Sequence, residues 1–319
     1  MQSNNRIIYF GTDIAFIIPT KDRPEKLRNL LDSFTHQTEK CQRIIVVDGG
    51  QSVRDLVVSF SGQLPVEYYE CRPPGQIRQR NVGVSYLDDH TPIVGFLDDD
   101  IVLEPRATEA ILNFWNRCEP DTAGVSFNIV NNPPEKTSWL KCMLGLSSAS
   151  QGRVMMSGMT TSNSPVQSDL RSQWLCGGAT TWKQSIIKKY KQEEILSKWA
   201  IGEDLIFSYP VGKIHPLYVC AAAHVRHEHQ MDYVSNMKFR FHGRTQTMWM
   251  FYFVKSNSDL SILLFLGTSF VRILGKLIIG IFTFKRDPIE FAFGQMEGLI
   301  KGIKGLTSKK GMASVLSED

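Results

Sequence analysis

The chain has 319 residues, 42% of them apolar and 21% charged, with six cysteines and a net charge of +4. That is enough apolar sequence for one large or two smaller cores, and it excludes an unstructured chain. So small a charge, with no Lys/Arg block interleaved with aromatics, argues against nucleic acid as a partner, and the absence of a C-x-x-C pair argues against zinc or redox chemistry. Scattered cysteines suit reduced thiols. The polar start, residues 1–6, has no signal-peptide apolar stretch, so a cytoplasmic protein is expected. The charge is unevenly divided: from Lys238 onward twelve Lys/Arg stand against six Asp/Glu, leaving a slightly acidic body and a basic tail.

The first hundred residues alternate apolar runs (15–19, 44–47, 66–69 and 93–97) with amphipathic helices, the pattern of a mostly parallel sheet with helices on its faces. The first helix is well marked. Asp22 and Glu25 stand at capping-box spacing, Pro24 suits the first turn, and Leu27, Leu30, Leu31 and Phe34 share one face. A helix is expected after Pro105, with Ala107, Ala110, Ile111, Phe114 and Trp115 inward. Residues 131–173, rich in Ser, Thr, Asn and Pro, read as long loops forming a lid or acceptor wall. A helix over 183–198 and a strand over 217–223 follow.

Asp98-Asp99-Asp100 stands directly after the apolar run 93–97, at the carboxyl end of a buried strand, where open α/β sheets collect ligands. Three adjacent carboxylates repel one another unless a cation lies among them, and hard oxygen ligands suit magnesium or manganese. Other polar groups follow the remaining strands: Pro19-Thr20-Lys21-Asp22-Arg23 after the first, Asp48-Gly49-Gly50 after the second, and Arg78-Gln79-Arg80-Asn81 after the third. Cys176-Gly177-Gly178, Gly202-Glu203-Asp204 and the histidines His224, His227 and His229 come later.

In this order and spacing the motifs resemble the family 2 glycosyltransferases of the GT-A fold over residues 13–230. The resemblance implies a nucleotide-diphosphate-sugar donor, a divalent metal (Mn2+ or Mg2+) and inversion at the anomeric carbon. It implies that Pro19, Thr20 and Arg23 line the base and ribose pocket and that Asp48 accepts from the base, although Gly49-Gly50 depart from the family's usual residues there. Arg80 would lie near the base or pyrophosphate, with Arg78 as a second phosphate contact. Asp98 would serve the ribose or a water-mediated metal contact, Asp100 the metal, and Asp99 would be a more solvent-facing spacer. His227, or else His224, would be a further metal ligand. Asp204 would be the catalytic base, with Glu203 orienting it or binding the acceptor, or the two roles exchanged. The plainer reading of Gly-Glu-Asp is a helix start. Trp174 and Trp182 would stack on sugar or belong to a core.

These readings divide the chain into a glycosyltransferase domain, 1–237 (nucleotide-sugar half 13–125, acceptor and base half 126–237), and a helical tail, 238–319. The tail holds an apolar run at 248–254 and a longer one at 260–284, broken by Arg272 and Lys276 at helical spacing into charge-free stretches too short to span a bilayer. A helix lying on the membrane, cations toward anionic headgroups, is the expectation, against packing on the protein itself or a protomer interface. The whole suggests a peripheral enzyme on the cytoplasmic face of a membrane, acting on a cell-envelope or lipid-linked glycan. The alternatives are a non-catalytic nucleotide-sugar or carbohydrate binder on the same fold, a scaffold using the tail alone, and a nucleotidyltransferase. The last would need a Gly-rich, Lys-containing loop after the first strand, which 19–23 lacks.

Overall fold

A computed structural model describes residues 8–135, 137–194, 202–228 and 236–307. The chain forms two units, the first made of Met1–Pro134, Asn163–Glu193 and Phe207–His229, the second of Glu135–Ser162, Glu194–Ile206 and Gln230–Asp319. The second unit thus combines the C-terminal helices with two earlier segments of the chain.

The first unit opens with β1 (Ile14–Thr20), α1 (Pro24–Thr35), β2 (Arg43–Asp48), α2 (Arg54–Ser59), β3 (Val66–Glu70), α3 (Gln76–Ser85) and β4 (Ile93–Leu97). These strands, in order β3-β2-β1-β4, are all parallel. Alternation sends Ile14, Phe16 and Ile18 of β1 to one face against Leu27, Leu30, Leu31 and Phe34 of α1, and Ile17 to the other with Val94 and Phe96. β1, β2 and β4, buried on both faces, read as continuous apolar runs, whereas β3 at the end of this row is half-buried. Pro24 starts α1, but the capping box does not form. Arg23 stands at the N-cap but its side chain makes no capping bond, while Asp22, at φ 56°, turns its carboxylate to the Gln51 N–H (2.8 Å).

The second half of the sheet is mixed. β5 (Ile101–Leu103), α4 (Ala107–Arg117), β6 (Gly124–Ile129), α5 (Trp139–Met143), β7 (Leu170–Ser172), β8 (Ala179–Lys183), α6 (Gln184–Lys189), α7 (Glu203–Gly212) and β9 (Leu217–His227) follow in the chain. β8 lies antiparallel between β4 and β6, β6 runs parallel to β9, and β5 and β7 pair antiparallel with the two ends of β9. The helix expected over 183–198 is thus only α6; Lys183 closes a strand, and 195–198 lie outside the described residues. Segment 131–173 is not loop throughout, since it holds α5 and β7. Trp182 is buried, its Nε1 donating to Thr180 Oγ1 (3.0 Å) and its ring edge-on to Phe207, so it is a core residue.

The second unit contains α5, the first turn of α7, and three long helices, α8 (Asn236–Ser256), α9 (Ile262–Thr283) and α10 (Arg286–Thr307). α10 meets α8 along Gly294, Gly298 and Gly302, one per turn; a Cβ on Gly294 would come within 1.9 Å of the Arg240 carbonyl oxygen. Arg272 does not join an outward basic face. It turns to Met159 Sδ (3.3 Å) and Gln246 Oε1 (3.5 Å), while Lys276 is exposed, its ammonium over the Phe291 ring.

Candidate active site

Because β1, β2 and β4 are parallel, Thr20, Asp48 and Asp98 come to the same edge of the sheet. The three acids after β4 then take different surroundings. Asp98 Oδ1 accepts from Arg80 Nη2 (2.8 Å) and Gln76 Nε2 (2.9 Å), both on α3. Its Oδ2 lies beside Gly178, where a Cβ would come within 2.5 Å.

Asp99 overturns the expectation of a solvent-facing spacer. It is 5% exposed, the most buried of the three, and accepts from Thr20 Oγ1 (2.8 Å) and Arg23 Nη1 (3.2 Å). The tight turn after β4 points the middle carboxylate back under β1, so a spacing that looks peripheral in sequence becomes interior. Burial pushes its pKa up to about 6, against the pull of the Thr20 hydroxyl and the Arg23 charge. Asp100 accepts from Arg23 Nη1 (3.3 Å) at Oδ2, and its Oδ1 lies 3.0 Å from His227 Nε2.

Arg80 is 1% exposed, with its guanidinium 5.7 Å from the Phe96 ring centroid and its Nε without a hydrogen-bond partner. α3 can lie so close to β1 because Gly83 faces Ile17, where a Cβ would come within 2.4 Å. Gln79, which sequence reasoning passed over, is the buried tie of this edge. Its Nε2 donates to the carbonyls of Thr20 (2.8 Å) and Val47 (2.7 Å), joining the ends of β1 and β2. Arg78, on the same helix, is half-buried.

Pro19 and Thr20 are buried within β1, and Arg23 reaches the acids rather than a separate pocket. Asp48 is fully buried, accepting from the Gly50 N–H (2.7 Å) and Tyr68 hydroxyl (2.8 Å); it braces the turn after β2, and the glycines there let the chain pass close to Asp22 and Gln79. On β9, His224 and His227 are three apart and so face opposite sides of the sheet. His224 is exposed, and His229 lies outside the described residues. Glu203 and Asp204 open α7, whose later residues Phe207 and Val211 enter the core with Trp182. Asp204 Oδ1 accepts from the Leu205 N–H (2.8 Å).

Among the described residues no group of three or more His, Cys, Asp or Glu side chains is gathered to hold a metal. The Asp100–His227 pair nonetheless has suitable chemistry, a hard carboxylate oxygen and an imidazole nitrogen, for a magnesium or manganese ion that keeps waters and takes phosphate oxygens.

A parallel strand set continued by a mixed half, with acids at the strand ends, is the architecture of a GT-A glycosyltransferase. The sequence profile described as Glycosyl transferase family 2 matches residues 15–175, half of the chain, and the chain belongs to that family. No curated protein matches the sequence. Among solved structures, S. aureus TarS 1-349 shares a TM-score of 0.52 at 13% identity, over 96% of this chain and 89% of that one. GalNAc-T7, crystallised with UDP, GalNAc and Mn2+, gives 0.54 at 14% identity over 69% and 44%. A further S. aureus TarS structure gives 0.49 at 15% identity over 86% and 44%, so this chain spans under half of that structure and of GalNAc-T7. At these identities the likeness is one of fold.

Proposed function

We propose that the protein transfers a sugar, with inversion, from a nucleotide-diphosphate donor to an acceptor hydroxyl on a cell-envelope or lipid-linked glycan, in a metal-dependent reaction at the cytoplasmic face of a membrane. The observation that carries this reading is the pairing of Asp100 with His227 (3.0 Å) beside two carboxylates individually held by Arg80 and by Thr20 and Arg23. That GalNAc-T7 was crystallised with a nucleotide, a sugar and manganese on the same fold supports the donor and metal classes.

Asp100 and His227 would hold the divalent cation. When bound, it supplies positive charge where the diphosphate departs. The chain's own residues prepare that place: Arg80 and Gln76 fix Asp98 toward the nucleotide, Arg23 lies within reach of the phosphates, and Gln79 keeps the ends of β1 and β2 together. Asp204 takes the proton from the attacking hydroxyl, and Glu203 hydrogen-bonds the acceptor.

Membrane association draws support from α9. Only 22% of its most apolar 18-residue window is buried, and Leu263, Phe270, Ile278, Ile281 and Phe282 are exposed. An exposed apolar face of this length is a surface for lipid. Thermal shift with a panel of nucleotide-sugars, with and without Mn2+, tests the reading. A metal-dependent rise in Tm for one donor is expected, and the absence of any response to donor and metal together refutes it.

A further inference from the structure

His227 is held by a side chain that no motif singles out. Past the end of β6, Val130 N–H still donates to the Val225 carbonyl (3.0 Å), but at the next residue the backbone ladder passes to a side chain. Asn131 Nδ2 donates to the His227 carbonyl (2.9 Å), and Asn131 Oδ1 accepts from the His227 N–H (2.9 Å). A primary amide offers the same donor and acceptor as a peptide group. Asn131 thus continues the β6–β9 ladder with its side chain after its own strand has ended.

The opposite edge of β9 is secured as well. Ile101 of β5 pairs with His227, and the Glu228 N–H donates to the Asp100 carbonyl (2.8 Å). From α1, Lys26 Nζ donates to the Glu228 carbonyl (2.9 Å) and carboxylate (3.2 Å), and Asn29 Nδ2 to the same carboxylate (3.2 Å). These bonds fix Glu228 and its link to Asp100, whereas Asn131 binds both backbone groups of His227 itself. Its imidazole is set from there at 3.0 Å from Asp100 Oδ1.

We infer that Asn131 is a positioning residue: its amide holds His227 so that the imidazole and Asp100 present one nitrogen and one oxygen to a divalent cation. The inference rests on the metal reading proposed above. Groups that orient a metal ligand from behind are worth about 10–100-fold in metal affinity.

The test uses the full chain and Mn2+, titrated alone and with a nucleoside diphosphate (UDP, GDP or dTDP), followed by electron paramagnetic resonance and by electron spin echo modulation from nitrogen bound to manganese. Wild type is expected to bind Mn2+ with nitrogen modulation, and His227→Ala to lose the modulation. Asn131→Ala is expected to bind Mn2+ about tenfold more weakly with reduced modulation. Because Asn131 is exposed, Tm should stay close to that of wild type. Should Asn131→Ala not fold, Asn131→Asp, which retains the acceptor for the His227 N–H, carries the same comparison. Unchanged affinity and modulation in the Asn131 variant overturn the inference. Manganese bound to wild type without nitrogen modulation overturns it too, along with His227 as a ligand, while sparing metal dependence itself. Wild type that binds no Mn2+ in any of these conditions overturns the metal reading and the inference together.

Discussion

The edge of the sheet in the first unit and the helices of the second unit break the ordinary rule of burial in opposite senses. At the sheet edge Arg80 and Asp99 are almost wholly buried, each against a named partner, whereas on α9 large side chains such as Leu263 (81%) and Phe282 (79%) face outward. Buried charge and exposed hydrocarbon both carry a free-energy cost that folding alone would select against. Among the described residues, buried charge at the sheet edge suits a site for small polar ligands, and exposed hydrocarbon on α9 suits a surface that some partner covers.

The largest expected effect tests whether Asp204, at the start of α7, does chemistry at all. Asp204→Asn should lower transfer by about 10²–10⁴-fold while donor binding, measured by thermal shift, is retained. Loss of donor binding in parallel with transfer would make Asp204 a structural acid of α7 instead.

Next comes the cost of breaking the buried pair. Arg80→Ala leaves Asp98 with Gln76 alone, and unfolding in urea should show a loss of about 3 kcal/mol, moderated because the Asp98 side chain is a quarter exposed. A loss below about 1 kcal/mol would mean that water already supports Asp98.

Asp99 supplies a pH test of similar or smaller size. Its folded pKa, about 6, lies above the ordinary value of 3.8, so between these values the folded chain holds a proton that the unfolded chain has released. Stability from this group is therefore full below about pH 4, falls as pH rises to about 6, and is level above that; two pKa units correspond to about 3 kcal/mol. Asp99→Asn, whose amide can still serve Thr20 and Arg23, should flatten that segment of the stability curve measured by urea unfolding at successive pH values.

In the helical unit, Gly294→Ala should cost about 1–3 kcal/mol through overpacking on the Arg240 carbonyl, read as a lower Tm. Phe282→Glu, by contrast, should leave stability within about 0.5 kcal/mol of wild type. It should also weaken cosedimentation with anionic vesicles; unchanged cosedimentation would mean that this face of α9 is not the membrane contact.

β1, β2 and β4 were legible because each is buried on both faces and reads as an apolar run, and β3, half-buried at the sheet's end, through Val66, Tyr68 and Tyr69. β5 and β7, of three residues each, carry no period to detect, and β8, Ala179–Lys183, hides its strand character in Thr180 and Thr181, whose polar groups are satisfied inside the sheet. The acids 98–100 were legible as a cluster, but their ranking was not. Asp99 became the interior member only because a hydroxyl 79 positions earlier lies beneath it. Gln79 and Asn131 escaped notice for the same reason, since an amide's role depends on which distant carbonyls it meets.

Local composition by itself determined the alternating α/β framework, the strand-end positions of Thr20, Asp48 and Asp98, and the apolar, basic character of the C-terminal helices, because these follow from the periodicity of burial along the chain. Only the tertiary structure decided the mixed half of the sheet, the inward turn of Arg272, the burial of Asp99, and the approach of His227 to Asp100. Each of these is set by strand pairing and hydrogen bonds between residues far apart in the chain, and no local pattern encodes which partner the fold will bring.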